Sequence, residues 1–346
     1  MISTKRKHIR GVIYMKNNIL IGAFLALLAS ASWGAMFPVA DAAFHYIDPF
    51  YFTILRYVPV AIMLMVILYF KEGKEAFRTE GKFLHLWFYG TMGFTVYNLL
   101  IFYGQNLLGD AGVLLASVME ALAPIITVLI LWLVFRNRPH GFTIFTIIGA
   151  FIGVLFVVTN GNFASLFGAG RLVPLFILFF AAMGWAFYTM GGSEFPKWSV
   201  LRYSTLTVTY GILTATVVVL ILTLIGYIEV PTLANIYTIR YHMLFMIFLP
   251  GLFALLFWNK AAVMLKPINA ILFINFAPVT TIIIRLIQGH TISFYEWLGV
   301  GLVSAMIILN NLYQRYLIAK EKKFEREVEE KTHYKQGASC DIQTSS

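Results

Sequence analysis

The sequence is short of cysteine and of charge. Cys340 is the only cysteine among the 346 residues, which excludes an intrachain disulfide and a metal site built from several cysteines. Charged residues make up 12% of the chain and hydrophobic residues 60%, whereas about a quarter of a soluble domain is charged. A soluble core could not bury so much apolar surface. The composition therefore predicts an integral membrane protein.

Long apolar runs are what the sequence has in abundance. Ten stretches approach the ~20 residues that a helix needs to cross a bilayer. They are residues 19–40, 50–70, 84–108, 111–135, 142–160, 172–192, 202–228, 241–265, 267–288 and 292–317. The stretches are continuously apolar, unlike the short alternating strands of a membrane β-barrel. We therefore expect an all-α fold with ten transmembrane helices.

The basic residues predict the orientation. If the N-terminus is cytoplasmic, the cytoplasmic tails, loops and helix ends contain all 26 Lys and Arg residues except Arg56, Arg171, Arg240 and Arg285. Short cytoplasmic loops carry an excess of Lys and Arg, so both termini are predicted to be cytoplasmic. The net charge of +10 then reflects membrane topology, and no nucleic-acid partner is expected.

The two halves of the chain carry the same features in the same order. Each half has a small-residue helix with one Trp, a Leu-Arg-Tyr helix start, a helix interrupted by proline and a closing helix with glycines. The matched residues are Trp33 and Trp185, Leu55–Tyr57 and Leu201–Tyr203, Pro124 and Pro278, and Gly149 and Gly153 with Gly299 and Gly301. This order indicates a duplication of about 150 residues.

The duplication divides the chain into a cytoplasmic tail (1–16), a first five-helix repeat (17–160), a second repeat (161–318) and a charged or disordered cytoplasmic tail (319–346). Met15 resembles a start, so residues 1–14 are expected to be dispensable. Because five is odd, the second repeat must enter the membrane upside down. Inverted repeats are typical of secondary transporters, which open a central site alternately to each side.

Several residues carry a family resemblance. Trp258-Asn259-Lys260, Leu265-Lys266-Pro267, Ala270 and the turn at residues 275–278 resemble the second-half signature of the EamA family, in the drug/metabolite transporter superfamily. Trp33-Gly34, Arg56 and the closing glycines are similar to its first-half pattern. The resemblance implies a ten-helix inverted-repeat carrier of the bacterial inner membrane, usually an exporter of amino acids or other small metabolites.

Two charged residues are the first candidates for a site. Glu120 falls about ten residues into the fourth apolar stretch, where a charge is costly and usually faces a cavity or a partner. It is a candidate for proton coupling and substrate contact; a protonated carboxyl bonded between helices is the alternative. Arg56 could neutralise Glu120 or bind a substrate carboxylate at two points, or it could extend toward the outer headgroups.

Other candidates are polar or aromatic residues near the middle of the predicted helices. The candidate substrate contacts are Asn98, Asn275, Trp33, Trp185 and Trp258. The amides could instead bond between helices. Pro124 and Pro278 are candidate hinges, with packing kinks as the alternative. Arg285 is expected at the membrane interface.

These features together predict a secondary transporter that exports small metabolites such as amino acids by alternating access. Its expected partners are a small-molecule substrate, the bilayer and protons. The small-residue face Gly22, Ala26, Ser30 and Gly34 is predicted to pack within one subunit or in a homodimer. The alternatives are a membrane receptor or scaffold, and a lipid or nucleotide-sugar carrier. No enzyme activity, metal or cofactor is expected.

Overall fold

The computed structural model describes residues 2–134, 136–163, 172–265 and 270–343, with side chains between residues 19 and 320 except at 262, 263, 271 and 272. The described residues are helical apart from turns and short connections. Lys266 and Pro267 of the family motif, and Arg171, lie outside the described residues.

In the described part of the first half there are seven α-helices, and a π-helical segment, Thr91–Val96, lies between the third and fourth. They are α1 (Ile2–Phe44), α2 (Pro49–Glu72), α3 (Phe83–Gly90), α4 (Tyr97–Leu108), α5 (Asp110–Ala121), α6 (Ala123–Leu133) and α7 (Gly141–Thr159). The Asp48 side chain caps α2 by accepting a hydrogen bond from the Phe50 N–H at 2.8 Å. Such caps satisfy one of the free N–H groups at a helix start.

The second half repeats this arrangement. Its α-helices are α8 (Leu172–Gly191), α9 (Val200–Leu224), α10 (Leu233–Thr238), α11 (Arg240–Met246), α12 (Ala254–Leu265), α13 (Phe276–Ile287) and α14 (Phe294–Gln343). A π-helical segment, Ile247–Phe253, joins α11 to α12, and the 3₁₀ turn Ile271–Asn275 precedes α13. Helix α14 continues through the stretch for which the sequence predicts a charged or disordered tail.

Seven helices of the described chain are long and apolar enough to cross a membrane, or eight if the bent pair α5 and α6 is one span. Residues 83–108 and the shorter apolar helix at 273–287 are not among them. A multi-pass membrane protein follows from this count, whereas the number ten stays a prediction.

Helix packing is reciprocal between the halves. The first helix, α1, packs on α12 and α13, while the corresponding helix of the second half, α8, packs on α4 and α6. Helix α7 pairs with α14, and α2 pairs with α9. Each of these six contacts joins one half to the other, so the core is built jointly by both.

The small-residue face of α1 lies inside the subunit. A Cβ on Gly22 would lie 2.9 Å from a Leu265 carbon, and a Cβ on Gly34 would overlap the Ala277 carbonyl oxygen. Thr281 also donates a hydrogen bond to the Gly34 carbonyl at 2.8 Å. Of the two predicted packing modes, these contacts match the one within a single chain.

The connections at one end of the bundle, termed the basic end (residues 72–89 and 192–202), are held together by a polar network. The guanidinium of Arg202 donates to Glu80 at 2.7 Å, and the Trp198 indole donates to the other Glu80 oxygen at 3.1 Å. Lys82 donates to the Glu194 carbonyl at 2.8 Å. Since residues 80 and 82 belong to the first half, the network ties the two halves together.

Acid is expected to weaken this network. Hydrogen bonds from Trp198 and then Arg202 lower the pKa of Glu80 below its ordinary value. A lowered pKa in the folded state means that the stabilisation is full above the ordinary value and is lost as the pH falls through the folded-state value. The fall in thermal midpoint on acidification should therefore be smaller in Glu80→Gln than in wild type. Glu75, paired with Arg78 on the surface, is the control, and Glu75→Gln should behave as wild type.

Candidate functional site

The first-half helix with the buried acid is broken where the sequence predicts. Helices α5 and α6 meet at an angle of 57°, and Pro124 lies in the first turn of α6. Proline is tolerated there because the N–H it lacks would have no partner within the helix. Pro278 lies in the first turn of α13, after the 3₁₀ turn. Both predicted hinge prolines thus mark the start of a new helical segment.

A basic and an acidic side chain are buried near this break. Arg56 on α2 is 1% exposed and Glu120 on α5 is 3% exposed. They interact electrostatically, but among the described residues neither has an ion-pair partner within 4.0 Å. Arg56 Nε and Glu120 Oε2 are also without a hydrogen-bond partner there. Buried polar atoms usually have a hydrogen-bond partner, which makes these two atoms the least satisfied part of the pair.

Aromatic rings satisfy part of the Arg56 charge. The guanidinium carbon lies 4.6 Å from the Tyr57 ring centre and 5.8 Å from that of Phe102. One terminal nitrogen reaches the Met36 sulfur at 3.6 Å. Cation–π contacts of this kind are worth ~0.5–2 kcal/mol, less than a bond to a carboxylate. Arg56 is therefore held in place without having its charge neutralised.

Hydroxyl and amide groups complete what we term the polar cluster: Arg56, Tyr57, Tyr97, Asn98 and Glu120. The Asn98 amide donates to the Gly93 carbonyl of the π-helical segment at 3.0 Å. Its oxygen and the Tyr97 hydroxyl have no hydrogen-bond partner of standard geometry in the described structure, although Tyr97 is close enough to Glu120 to interact with it. The cluster thus offers both donors and acceptors.

A row of aromatic rings adjoins the polar cluster. The centre of the Trp33 indole lies 5.3 Å from that of Trp258 and 6.4 Å from that of Trp185. Trp185 is 5.1 Å from Tyr97. The Trp33 indole N–H donates to the Pro250 carbonyl in the second π-helical segment at 3.2 Å. The structure therefore brings together the three predicted tryptophans, which come from α1, α8 and α12.

A cavity of about 80 Å³ lies against this tryptophan row (Trp33, Trp185 and Trp258). The rest of its lining is Ala123, Pro124, Thr127, Thr189 and Ile274. Thr189 is exposed near the basic end of α8, so the cavity reaches the surface there. Trp185 lines the cavity and also contacts Tyr97 of the polar cluster.

Asn275 occupies a different place from the other predicted contacts. It is buried on the 3₁₀ turn, next to Ile274 of the cavity wall. Tyr57 was not predicted as a site residue, although it directly follows Arg56 in the sequence. In the described ranges, no three His, Cys, Asp or Glu side chains lie together as a metal site requires.

Comparison with known proteins identifies the family. The model of the EamA-like transporter family matches residues 20–159 and again residues 172–312. The chain belongs to the EamA-like transporter family. The double match places one family unit in each half of this EamA-like transporter, with the charged pair in the first and Trp185 and Trp258 in the second.

Curated relatives are named as transporters without a substrate. The "Uncharacterized transporter YrdR" of Bacillus subtilis (strain 168) is 46% identical over 301 residues, covering 87% of this chain and 94% of that protein. The "Uncharacterized transporter YyaM" of the same organism is 25% identical over 272 residues, covering 78% and 87%. A solved crystal structure superposes with a TM-score of 0.58 at 19% identity, covering 87% of this chain and 99% of the other. That likeness supports the fold.

Proposed function

We propose that this EamA-like transporter is a secondary carrier that exports a small metabolite with both a negative and a positive group, such as an amino acid. The observation that carries the proposal is the buried pair Arg56 and Glu120, in which Arg56 Nε and Glu120 Oε2 have no hydrogen-bond partner among the described residues. A carboxylate fits the two-point geometry of a guanidinium, and an ammonium fits the carboxylate of Glu120. One zwitterion would supply both missing partners.

Coupling to protons follows from the same pair. Glu120 can accept either a substrate ammonium or a proton, but not both. A proton bound at Glu120 would therefore release the substrate, and a bound substrate would exclude the proton. Exchange of substrate outward for protons inward is the expected result.

The tryptophan row supports an amphipathic substrate. Indole rings bind apolar groups and tolerate a nearby cation, and Trp185 lines the cavity and contacts Tyr97 of the polar cluster. We infer that a substrate passes Trp185 to reach Arg56 and Glu120, with its side chain against the rings. Movement of this ring would then control entry.

The reciprocal packing supports alternating access by inverted halves. The contacts of α1 with α12 and α13 correspond to those of α8 with α4 and α6. Both third apolar stretches contain a π-helical segment, and both fourth stretches restart at a proline. We infer two inverted five-helix repeats, ten spans and cytoplasmic termini, with Pro124 and Pro278 as hinges.

Counterflow in proteoliposomes tests the proposal. Vesicles loaded with mixed amino acids and other small metabolites are mixed with trace labelled compounds one at a time. Protein-dependent accumulation of at least one zwitterionic compound is expected, and empty vesicles give the background. If only nucleotide sugars or only lipids accumulate, the proposed substrate class is wrong and the compound that accumulates is the substrate. If a folded protein binds a compound without moving it, the receptor alternative is correct instead.

A further inference from the structure

Arg285 is buried at the end of the bundle opposite the basic end. This far end comprises residues 41–48, 106–110 and 285–293. Arg285 is 5% exposed. One of its terminal nitrogens donates to Asp41 at 3.2 Å, and the other donates to Asp110 at 2.6 Å. The second nitrogen also lies 3.0 Å from His290 Nδ1.

These ion pairs join three helices from both halves. Asp41 is on α1 and Asp110 begins α5, whereas Arg285 is in the last turn of α13. Hydrogen bonds between charged groups at such distances are stronger than hydrogen bonds between neutral groups. We term Asp41, Asp110 and Arg285 the latch. Separation of α13 from α1 and α5 at this end must break both pairs.

Packing behind the latch closes the same end. One turn before Arg285, Thr281 is fully buried and donates to the Gly34 carbonyl. A layer of phenylalanines, Phe44, Phe52 and Phe102, covers the polar cluster with ring centres 5.3–5.9 Å apart. Phe102 is the ring that faces Arg56. The cavity beside the tryptophan row lies on the other side, near exposed Thr189.

The two ends of the bundle are therefore unequal. The cavity at the basic end lies beside the candidate site. The far end has a larger surface pocket of about 420 Å³, lined by Phe44, Asp48 and Asn106 among others, but the phenylalanine layer lies between this pocket and Arg56. The far end also has the helix contact without space and the buried arginine with two carboxylates. Breaking a buried pair leaves an uncompensated charge, which is costly. Because the guanidinium of Arg285 is bonded to carboxylates on two other helices, the far end can open only if α13 separates from both α1 and α5.

We propose that the latch is the gate that holds the far end closed while the cavity side is open, and that the far end opens when Arg285 separates from Asp41 and Asp110. The proposal rests on the carrier function proposed above. It assigns a role to residues outside the polar cluster. Their charges would set the equilibrium between the state open at the basic end and the state open at the far end. Neutralising either partner shifts that balance toward the state open at the far end.

Cysteine labelling tests the gate without a known substrate. Cys340→Ser removes the native thiol, and Thr281→Cys then places a reporter one turn behind the latch. A membrane-impermeant maleimide is added to each side of reconstituted protein in turn. Val230 is exposed in the connection after α9 and lines a pocket with Asp48 and Asn106 of the far end, so Val230→Cys identifies which side the far end faces. The reporter is expected to react slowly from that side when the latch is intact.

Arg285→Gln, Asp41→Asn and Asp110→Asn are expected to speed labelling of the reporter at least tenfold from the far side, while Arg285→Lys restores slow labelling in part. Asp110→Asn is the most informative of these variants. The Asp110 side chain is 76% exposed, so replacing it leaves the core intact, and the test still works if Arg285→Gln misfolds. The matched control is Arg240→Gln, since Arg240 donates to the Tyr237 carbonyl instead of a carboxylate.

Unchanged labelling in Asp110→Asn and Asp41→Asn, with wild-type thermal stability, would overturn the gate. The result is independent of the carrier proposal, because labelling needs no transport. If the latch variants speed labelling but counterflow fails for every compound, the gate stands and the substrate assignment falls. If counterflow succeeds and labelling does not change, the gate alone is wrong.

Discussion

Replacement of Glu120 by glutamine is expected to reduce counterflow at least tenfold and to abolish its dependence on pH. Glutamine keeps the size of the side chain and removes the charge that would bind an ammonium or a proton. Because the substitution removes the electrostatic partner of buried Arg56, the thermal midpoint of the variant is measured alongside, and rates are compared per folded protein. Initial rates of tracer uptake between pH 6 and 8 measure the effect.

Glu229 provides the matched control for this experiment. It is an exposed acid in the connection after α9, so Glu229→Gln makes the same chemical change away from the polar cluster. Its uptake and pH profile should match those of wild type. Arg56→Gln should lose uptake to a similar degree. If Glu120→Gln and Arg56→Gln both transport normally, the polar cluster is structural and the proposed substrate site is wrong.

Replacement of Gly34 by alanine is expected to lower the thermal midpoint strongly. The new Cβ would overlap the carbonyl oxygen of Ala277, which is backbone and cannot rotate away. Overpacking of this kind costs ~1–3 kcal/mol and sometimes more. The hydrogen bond from Thr281 to the Gly34 carbonyl would also be strained. Thermal unfolding followed by size-exclusion chromatography in detergent measures the change.

Gly301 is a glycine where the same substitution should do no harm. It lies within α14, and a Cβ added to it meets nothing within 4 Å. Since alanine is ~1 kcal/mol better than glycine inside a helix, Gly301→Ala should be neutral or stabilising. Equal midpoints for Gly34→Ala and Gly301→Ala would contradict the close contact between α1 and α13.

The sequence made the polar cluster partly predictable. Arg56, Asn98 and Glu120 stand out because charged and amide residues are rare inside apolar stretches, and the expense of burying them points to a site. Trp33 and Trp185 were found because they recur in the two halves, and Trp258 because it belongs to the motif that resembles the family. Tyr57 carried no comparable signal, since tyrosine is common throughout the chain. Its place became clear only when the helices were packed.

The ion pairs of Arg285 at the far end could not be predicted from the sequence in the same way. Asp41 and Asp110 are 244 and 175 residues from Arg285 in sequence, and each lies close to a helix end, where charges are ordinary. The sequence placed Arg285 at the membrane interface, whereas the structure buries its side chain between helices. Contacts over such separations depend on how the halves pack, and hydropathy carries no information about that packing.

The π-helical segments had no sequence signal that we recognised. Each shifts backbone bonding, and a carbonyl in each segment accepts a side-chain N–H, from Asn98 at Gly93 and from Trp33 at Pro250. Such segments are common at functional sites. Their matched positions were visible only in the folded chain.

The contact between Gly34 and Ala277 has a mechanical consequence. It lies seven residues from Asp41 along α1, or about 10 Å at 1.5 Å per residue, and one residue from Trp33 on the other side. Without space between the two backbones, α1 and α13 cannot slide past each other there, but they can tilt. The contact would then act as a pivot. When α1 and α13 separate at one end of the bundle, they approach each other at the opposite end.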